Sequence, residues 1–161
     1  MPLYEVENGV LKQVPQGSFA AEGLRERDDM QQWIRKNPMV LGESLFIVSE
    51  EFGQWEDSKR RIDLLAIDED ANLIVVELKR TDDGGHMELQ AIRYAAMISA
   101  MTFDDVVNAH ERYLSKHEPE KKDEARSRIM KFLGEESEGK VEISSTPRII
   151  LLSADFFLEI T

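Results

Sequence analysis

Residues 61–67 read R-I-D-L-L-A-I, and residues 73–79, after a short acidic turn, read L-I-V-V-E-L-K. Two apolar runs rich in β-branched residues and separated by a short polar segment are typical of adjacent antiparallel strands joined by a tight loop. Each run carries charge where a core strand should carry none: Asp63 in the first, and Glu77 and Lys79 in the second. The sequence therefore predicts a hairpin that holds charged side chains within a sheet.

The predicted pairing brings the charged residues of the two strands together. Residues two apart on a strand share a face, so Glu77 and Lys79 point the same way. A turn centred near Asp70 places Asp63 directly across from Glu77, and opposed residues have Cβ atoms roughly 4.5–5.5 Å apart. A slip of one residue would send Asp63 to the other face. In the predicted register, the two carboxylates can bind one metal ion.

Two carboxylates and a lysine on one face suit a specific chemistry. Mg²⁺ prefers oxygen ligands, typically one or two carboxylates with waters and a substrate phosphate oxygen. Such a metal lowers the pKa of a bound water, and Lys79 would orient or help deprotonate that water or neutralise charge in the transition state. Metal-assisted hydrolysis of a phosphodiester uses these groups together. The alternative is a solvated Glu77–Lys79 pair near a strand end, with Asp63 part of a turn, because E-x-K tripeptides are common.

A wider set of motifs resembles the PD-(D/E)XK phosphodiesterase superfamily, which includes restriction endonucleases. The pattern is Asp63, thirteen intervening residues and then E-L-K at 77–79, with Ile62 where the family usually has proline. The segment from Leu24 to about Val107 is most similar to the NucS-type endonuclease domain and its uncharacterised relatives. Four stretches carry this similarity in the same order: W-I-R-K-N-P at 33–38, R-I-D-L-L-A-I at 61–67, V-V-E-L-K-R at 75–80 and Q-A-I-R-Y-A at 90–95.

The resemblance implies a fold, an activity and a set of residue roles. The fold is an α/β domain with a restriction-endonuclease-like central mixed sheet flanked by helices. Asp63 and Glu77 would hold Mg²⁺ or Mn²⁺, and Lys79 would serve the attacking water. The helix after the hairpin would bring Gln90 towards the site as a catalytic residue and Tyr94 as a nucleic-acid contact. The implied activity is that of a metal-dependent endonuclease, with DNA as the expected substrate.

Gln90 and Tyr94 also have structural explanations. They lie at i and i+4 of an apolar helix predicted from His86 to about Ala100, so they share one face. A glutamine on that face can be a satisfied polar core residue, and a tyrosine there usually packs. The family pattern favours the site for Gln90 more than for Tyr94.

The family usually contributes a further acid from its first helix. Glu26 is our candidate for this catalytic position, because it lies at i−4 from Met30 and i−7 from Trp33, which predicts that all three share a face. The register is open by a residue, so Glu22 or Asp29 can take the place of Glu26. An exposed acid on an amphipathic helix is the alternative.

Composition limits the classes of protein to which this chain can belong. At 161 residues with 42% hydrophobic side chains, the chain is long enough for one core and is predicted to form a single domain over residues 1–161. It contains no cysteine, which excludes disulfides and thiolate metal sites and fits a reducing interior. No apolar run approaches the roughly 20 residues that span a bilayer, and no signal-peptide pattern is present. We therefore expect a cytoplasmic protein that does not bind membranes.

Net charge argues against a protein that simply coats DNA. The chain has 32 acidic and 20 basic residues, a formal charge of −12, whereas phosphate neutralisation drives non-specific DNA binding. A local basic rim can still steer a phosphate chain, although a scatter of strand-end charges is the alternative. The basic residues near the predicted site, which we take with Tyr94 as nucleic-acid contacts, are Lys59, Arg60, Arg61, Arg80 and Arg93.

Two further functions remain open from the sequence. The first is a catalytically inactive nuclease-fold protein that works as an interaction or assembly module, which the acidic charge favours. The second is a nuclease whose grip on DNA comes from a homodimer or a protein partner. The sequence does not distinguish single-stranded, branched and duplex DNA, or DNA from RNA, because this superfamily supports many substrates on one site.

The other predicted elements are set by local signals. The three histidines, at 86, 110 and 117, are expected at the surface or at helix ends. The chain ends on an apolar segment at 156–161, so a truncated or minimal form of the family domain is one expectation. The predicted elements are a hairpin at 4–14 with an Asn8-Gly9 turn, a helix at 25–36 ended by Asn37-Pro38, a strand at 45–48, a helix from a capping box at 102–105 to about 117, a helix within 118–140 ended by Gly134, and a buried strand at 148–152.

Overall fold

The computed structural model describes residues 2–17, 21–23, 25–53, 61–79, 87–135 and 141–153. Within these ranges the chain is an α/β protein whose centre is a mixed four-stranded sheet flanked by helices. The strands are β1 (Tyr4–Glu7), β2 (Val10–Gln13), β3 (Leu45–Phe52), β4 (Ile62–Asp68), β5 (Leu73–Lys79) and β6 (Arg148–Ser153). The α-helices are α1 (Gln32–Lys36), α2 (Met87–Ile98), α3 (Phe103–His117) and α4 (Ala125–Phe132). A π-helical segment, Glu26–Gln31, leads into α1, and 3-10 segments occupy Pro38–Leu41 and Pro119–Glu124.

The central sheet has the strand order β3-β4-β5-β6. The first three strands are antiparallel to their neighbours, whereas β6 runs parallel to β5. Leu64 pairs with Val76 and Ile67 with Leu73, so the predicted register of the hairpin is confirmed. Its loop is closed by Asp68, whose Oδ1 accepts hydrogen bonds from the main-chain N–H groups of Asp70 at 3.0 Å and Asn72 at 2.9 Å. A five-residue turn therefore fixes which residues of β4 and β5 face each other.

Helices cover the two faces of this sheet and give two apolar clusters. On one face, Met30 and Ile34 pack against Leu64, Val76 and neighbouring strand residues. On the other face, residues of α2, α3 and α4 pack against odd-numbered strand residues such as Leu73 and Val75. The strands β4 and β5 are therefore buried on both sides, which explains why their sequences are nearly continuous apolar runs.

Strand β3 is longer than predicted and contains a bulge. It extends beyond the predicted 45–48 to Phe52, and its pairing with β4 shifts between Ile47 and Ser49, so Val48 is the extra residue. A bulged residue is left out of the ladder, and its buried main-chain groups need another partner. His110 supplies one, because its Nδ1 lies 2.9 Å from the carbonyl oxygen of Val48. The surface or helix-end position predicted for His110 is wrong, since this side chain is only 1% exposed.

The first helix departs from regular α geometry. The N–H of Met30 donates to the carbonyl of Arg25 at 3.2 Å, a five-residue step that belongs to the π-helical segment. Such a step changes the angular positions of the residues that follow. Met30 is buried at 5% exposure, whereas Trp33 is 51% exposed, so the predicted common face of Glu26, Met30 and Trp33 is wrong for Trp33.

Strand β6 forms at its predicted place. It is less buried than predicted. Arg148 and Ile149 are exposed and the other four residues are half-buried, because β6 is the terminal strand of the described sheet. Arg148 ties this strand to the rest of the fold. Its guanidinium donates to Glu43 and to Asp68, each at 2.8 Å. The carboxylate that closes the β4–β5 loop therefore also anchors β6.

The remaining predictions for local structure are confirmed. Asn8 and Gly9 have φ angles of 52° and 79°, as a primed hairpin turn requires, and the hairpin β1–β2 is exposed along its length. The capping box of Thr102 and Asp105 opens α3, which ends at His117 as expected. Gly134, at φ 72°, follows the end of α4. None of the helices in the described ranges is both long and apolar enough to cross a membrane.

Candidate active site

The candidate site lies at the open end of the β4–β5 hairpin, opposite the turn. Continuing the register past the Leu64–Val76 pair places Asp63 opposite Glu77. Asp63 is half-buried, and its Oδ2 accepts a hydrogen bond from the main-chain N–H of Leu78 at 2.9 Å. Its side chain therefore reaches across to β5, beside Glu77.

Glu77 is a carboxylate within the body of the sheet. Its side chain is 3% exposed, and it has strands on both sides, because β5 lies between β4 and β6. Acidic residues are almost never so fully buried unless other groups compensate the charge. Gln90 supplies one hydrogen bond, with Nε2 donating to Glu77 Oε2 at 3.0 Å. The sequence prediction that α2 brings Gln90 to the acidic pair is thus confirmed in its geometry.

Lys79 is the last residue of β5 and is half-exposed. It lies two residues after Glu77, so the alternation of a strand gives the two side chains one face. This position puts a cation at the rim of the site, next to a buried carboxylate. From this position the ammonium group of Lys79 can contact a phosphate group or a water molecule that enters the site from solvent.

The first helix reaches the site through Gln31. This side chain is 3% exposed, and its Nε2 donates to the main-chain carbonyl of Asp63 at 3.0 Å. The side chain of the predicted residue, Glu26, lies outside what the structure describes. Of the two alternatives, Glu22 is exposed, and Asp29 accepts from the N–H of Arg25 at 2.7 Å through Oδ2. Sequence reasoning missed Gln31 because a regular helix was assumed, and a polar residue beside Met30 was the only signal.

Gln31 and Gln90 approach the acidic pair from opposite layers. Gln31 belongs to the helical layer that contains Met30 and Ile34, and Gln90 belongs to α2 on the other face. Both amides donate to the hairpin, one to the main chain of Asp63 and one to the side chain of Glu77. The strand ends are therefore held in place from both sides.

Two of the basic residues predicted to contact nucleic acid, Arg61 and Arg93, are described by the structure. Arg61 is exposed directly before β4, and its Nη1 donates to the carbonyls of Glu51 at 3.4 Å and Gly53 at 3.3 Å. Arg93 is exposed on α2. Lys59, Arg60 and Arg80 lie outside the described residues, so the predicted basic rim is described only in part.

Tyr94 is part of the core and is not a surface residue. Its ring is 2% exposed and belongs to the cluster that includes Val75 and Val106. The shared helix face with Gln90 is confirmed in that both side chains turn towards the sheet. This burial supports the packing explanation of Tyr94, and we do not carry it forward as a contact to nucleic acid.

The donor set at this site fits a hard divalent cation. Asp63 and Glu77 offer only carboxylate oxygens, which Mg²⁺ and Mn²⁺ favour, and an oxygen that accepts one hydrogen bond keeps a second lone pair. Over the ranges that the structure describes, no group of three or more His, Asp or Glu side chains is placed to hold a metal. Mg²⁺ is commonly held by one or two carboxylates with waters, so two facing carboxylates meet its minimum requirement.

Comparisons of the chain with family models, with curated proteins and with solved structures gave no match. The function must therefore be argued from the geometry of Asp63, Glu77, Lys79 and Gln90.

Proposed function

We propose that this chain is a metal-dependent nuclease of the PD-(D/E)XK type, with a restriction-endonuclease-like fold, that hydrolyses phosphodiester bonds in DNA. One observation carries the proposal: the register of β4 and β5, continued past Leu64 and Val76, sets Asp63 opposite Glu77, and Gln90 hydrogen-bonds Glu77 at 3.0 Å. The absence of cysteine fits a reducing compartment, and we propose that the activity belongs to the cytoplasm.

In this proposal each residue has a defined task. Asp63 and Glu77 would hold Mg²⁺ or Mn²⁺, which when bound supplies Lewis acidity and a water of lowered pKa. Lys79 would hold the attacking water by hydrogen bonding or neutralise charge on the phosphoryl oxygens. Gln90 fixes the orientation of the Glu77 carboxylate, and Gln31 fixes the main chain at Asp63. The two amides are positioning residues, because they act through the carboxylates.

The proposal is tested by cleavage of labelled single-stranded, duplex and branched DNA with Mg²⁺ or Mn²⁺. Glu77→Gln keeps the shape of the side chain and an oxygen for Gln90 to bind, but removes the charge. We expect it to lower the cleavage rate by at least about 100-fold, because loss of metal binding removes several kcal/mol of transition-state stabilisation. Thermal stability should stay the same or rise, since two close carboxylates repel each other without metal.

The matched control is Glu69→Gln, an exposed residue in the turn at the other end of the same hairpin. It makes the same charge change and should leave cleavage and metal binding unchanged. Calorimetric titration of both variants with Mn²⁺ separates loss of metal from loss of chemistry. Cleavage that persists in Glu77→Gln would sink the proposed mechanism.

An interaction or assembly module is the second candidate function. It is favoured by the net charge of −12, which opposes binding to a polyanion. No cleavage of any substrate together with no metal binding by the wild-type protein would favour this function. Metal binding without cleavage would instead point to a nuclease that needs a protein partner or a second copy.

A further inference from the structure

A polar cavity lies at the end of β3, next to the first residues of the strand β4 that carries Asp63. It has a volume of about 580 Å³ and is bounded by the end of β3, by Arg61 and by α3. The side chains that matter for its chemistry are Arg61, Arg112, Tyr113, Lys116 and His117. Arg61 lies two residues before Asp63, so one wall of the cavity continues into the strand that carries the candidate site.

The cavity differs in charge from the chain around it. Arg61, Arg112 and Lys116 supply three cationic groups, against the two carboxylates of Glu50 and Glu51. The whole chain, by contrast, has 20 basic and 32 acidic residues. A concave surface with an excess of cations on an acidic protein concentrates anions locally.

Glu50 is already compensated within the protein. Its side chain is 13% exposed, and its carboxylate lies 2.6 Å from His117 Nε2, 3.5 Å from Lys116 Nζ and 3.7 Å from Arg35 Nε. These groups bring α1 and α3 together at the edge of β3. A carboxylate with three cationic or proton-donating neighbours contributes little net negative charge to the cavity, and Lys116 is in turn partly neutralised by it, so the two arginines carry the remaining positive charge.

The two arginines have no carboxylate at ion-pair distance among the described residues, although Arg112 interacts electrostatically with Asp105, whose carboxylate already accepts hydrogen bonds from Thr102. Across the described ranges, neither Arg61 nor Arg112 forms an ion pair with a carboxylate, and the bonds of Arg61 go to neutral main-chain carbonyls. Arg112 is exposed on α3. Guanidinium groups bind phosphate oxygens through paired N–H donors, so these two side chains offer charge and geometry to a phosphate.

The aromatic side chains of the cavity indicate whether its ligand is a phosphate group or a nucleotide base. The ring of Tyr113 stacks on that of His110 with centroids 5.5 Å apart, and the ring of His117 lies 4.8 Å away on a tilted plane. The hydroxyl of Tyr113 also accepts from Arg35 Nη1 at 3.3 Å. Tyr113 is thus engaged with neighbouring side chains, and it supports the wall of the cavity instead of stacking on a nucleotide base.

We propose that the cavity between Arg61 and Arg112 binds a phosphate group of the nucleic-acid strand outside the bond that is cleaved. The inference rests on the proposed function for the identity of the strand, although its chemistry, a phosphate oxyanion held by guanidinium groups, also suits free phosphate. The site would contribute affinity for DNA, which an acidic surface elsewhere on the protein would not.

The test uses the full chain and a 5′-fluorescein single-stranded oligonucleotide in EDTA, which prevents metal-dependent cleavage, with binding followed by anisotropy over a series of salt concentrations. Arg112→Gln should weaken binding about tenfold and lower the slope of log K against log salt by roughly 0.7, the value for one phosphate contact on a single strand. Lys122→Gln, an exposed lysine outside the cavity, makes the same charge change and should alter neither quantity. An unchanged affinity and slope in Arg112→Gln would overturn the inference.

A second probe separates this inference from the proposed function. Glu77→Gln should bind the oligonucleotide at least as tightly as the wild type although it does not cut, because the cavity does not include Glu77 and, without metal, that carboxylate can only repel the strand. If the wild type binds no DNA, titration with inorganic phosphate decides the matter. Phosphate binding that Arg112→Gln abolishes would keep the site with free phosphate as its ligand, whereas no phosphate binding would overturn it.

Discussion

Asp63 serves the fold as well as the candidate site. Its Oδ2 accepts from the N–H of Leu78 at 2.9 Å, beyond the last ladder pair of the hairpin, and its carbonyl accepts from Gln31. A strand end that is fixed at both its main chain and its side chain has little freedom to move. The same contacts that hold the hairpin closed therefore orient a carboxylate towards Glu77.

Two substitutions at Asp63 should separate these roles. Asp63→Asn keeps an oxygen for the N–H of Leu78, so its unfolding free energy should stay close to that of the wild type while cleavage is lost. Asp63→Ala leaves that buried N–H without its acceptor and should cost about 1–3 kcal/mol. Urea unfolding and the cleavage assay measure the two effects. Equal destabilisation by both substitutions, or cleavage by Asp63→Asn, would contradict this division.

His110 links stability to pH. Burial lowers the pKa of its imidazole below the usual value, although the hydrogen bond to Val48 acts in the opposite direction. The unfolded chain then binds a proton that the folded chain does not, so stability is present above the unfolded pKa of about 6.5 and falls as the pH drops below it.

We expect this loss to reach at most about 1.4 kcal/mol per pH unit, the limit for one proton. The unfolding temperature of the wild type, measured from pH 7.5 to 5.5, should therefore decline, and His110→Gln should show a shallower decline. An equal slope in the two proteins would assign the acid sensitivity to other groups.

Individual site residues differ in how far sequence could predict them. Asp63 and Glu77 follow from strand alternation and a short turn, which are local and regular, whereas Gln90 is expected at the site only because of the family resemblance. Gln31 and His110 depend on a π-helical step and on a β-bulge. Neither irregularity leaves a recognisable pattern in one sequence, because each inserts a residue into a period without changing the residue types around it.

Among the secondary-structure elements, α3 has the strongest local signals. Thr102 Oγ1 accepts from the N–H of Asp105 at 3.3 Å, and Asp105 Oδ2 accepts from the N–H of Thr102 at 2.8 Å, which satisfies two main-chain donors at the helix start. The helix contributes Val106, Ala109 and Leu114 to the core. Its N-terminus therefore has a measurable share in the stability of the whole fold.

Thr102→Ala should reduce the unfolding free energy by about 1 kcal/mol, because the capping side chain is lost. Ser115→Ala, near the other end of the same helix, removes an exposed hydroxyl that donates to the carbonyl of Glu111 and should change stability by less than about 0.5 kcal/mol. Urea midpoints at constant slope give both values. A Thr102→Ala protein as stable as the wild type would show that the cap is not needed.

The bounds of whole elements could be predicted where turn and cap signals were present. They were less predictable where the position of the element in the tertiary structure determines its length or burial. The bounds of β4, β5 and α3 agree with their sequence signals. The burial of β6 was overestimated because an apolar run does not reveal whether a strand is central or terminal in its sheet. The length of β3 was underestimated because Glu50 and Glu51 interrupt its apolar pattern, and the ionic partners of Glu50 come from distant α1 and α3.

At the scale of the whole molecule, the sheet order could not be read from the sequence. The family resemblance implied a mixed sheet flanked by helices, but the parallel pairing of β6 with β5 depends on a chain path of many residues. The distribution of charge over the surface also could not be predicted from the sequence. The formal charge of −12 describes the average surface, whereas the cations of the cavity come together only after β3 and α3 have packed.

The parallel placement of β6 has a consequence for the order of folding. The β4–β5 hairpin closes over the short turn from Asp68 to Asn72, whereas β6 can pair with β5 only after the chain between Lys79 and Arg148 has been arranged. Loop closure costs more entropy for longer loops, and non-local pairing slows folding. In pulse-labelled hydrogen exchange during refolding, amides of β4 should thus gain protection before those of β6. Simultaneous protection would contradict this order.

During synthesis on the ribosome, the two facing carboxylates would then be assembled while one edge of β5 still lacks its neighbour. An apolar strand with unpaired main-chain groups is a template for pairing with other chains. The interval before β6 arrives is therefore the stage at which this protein is most exposed to aggregation, and two residues of its candidate active site, Glu77 and Lys79, lie on the exposed strand.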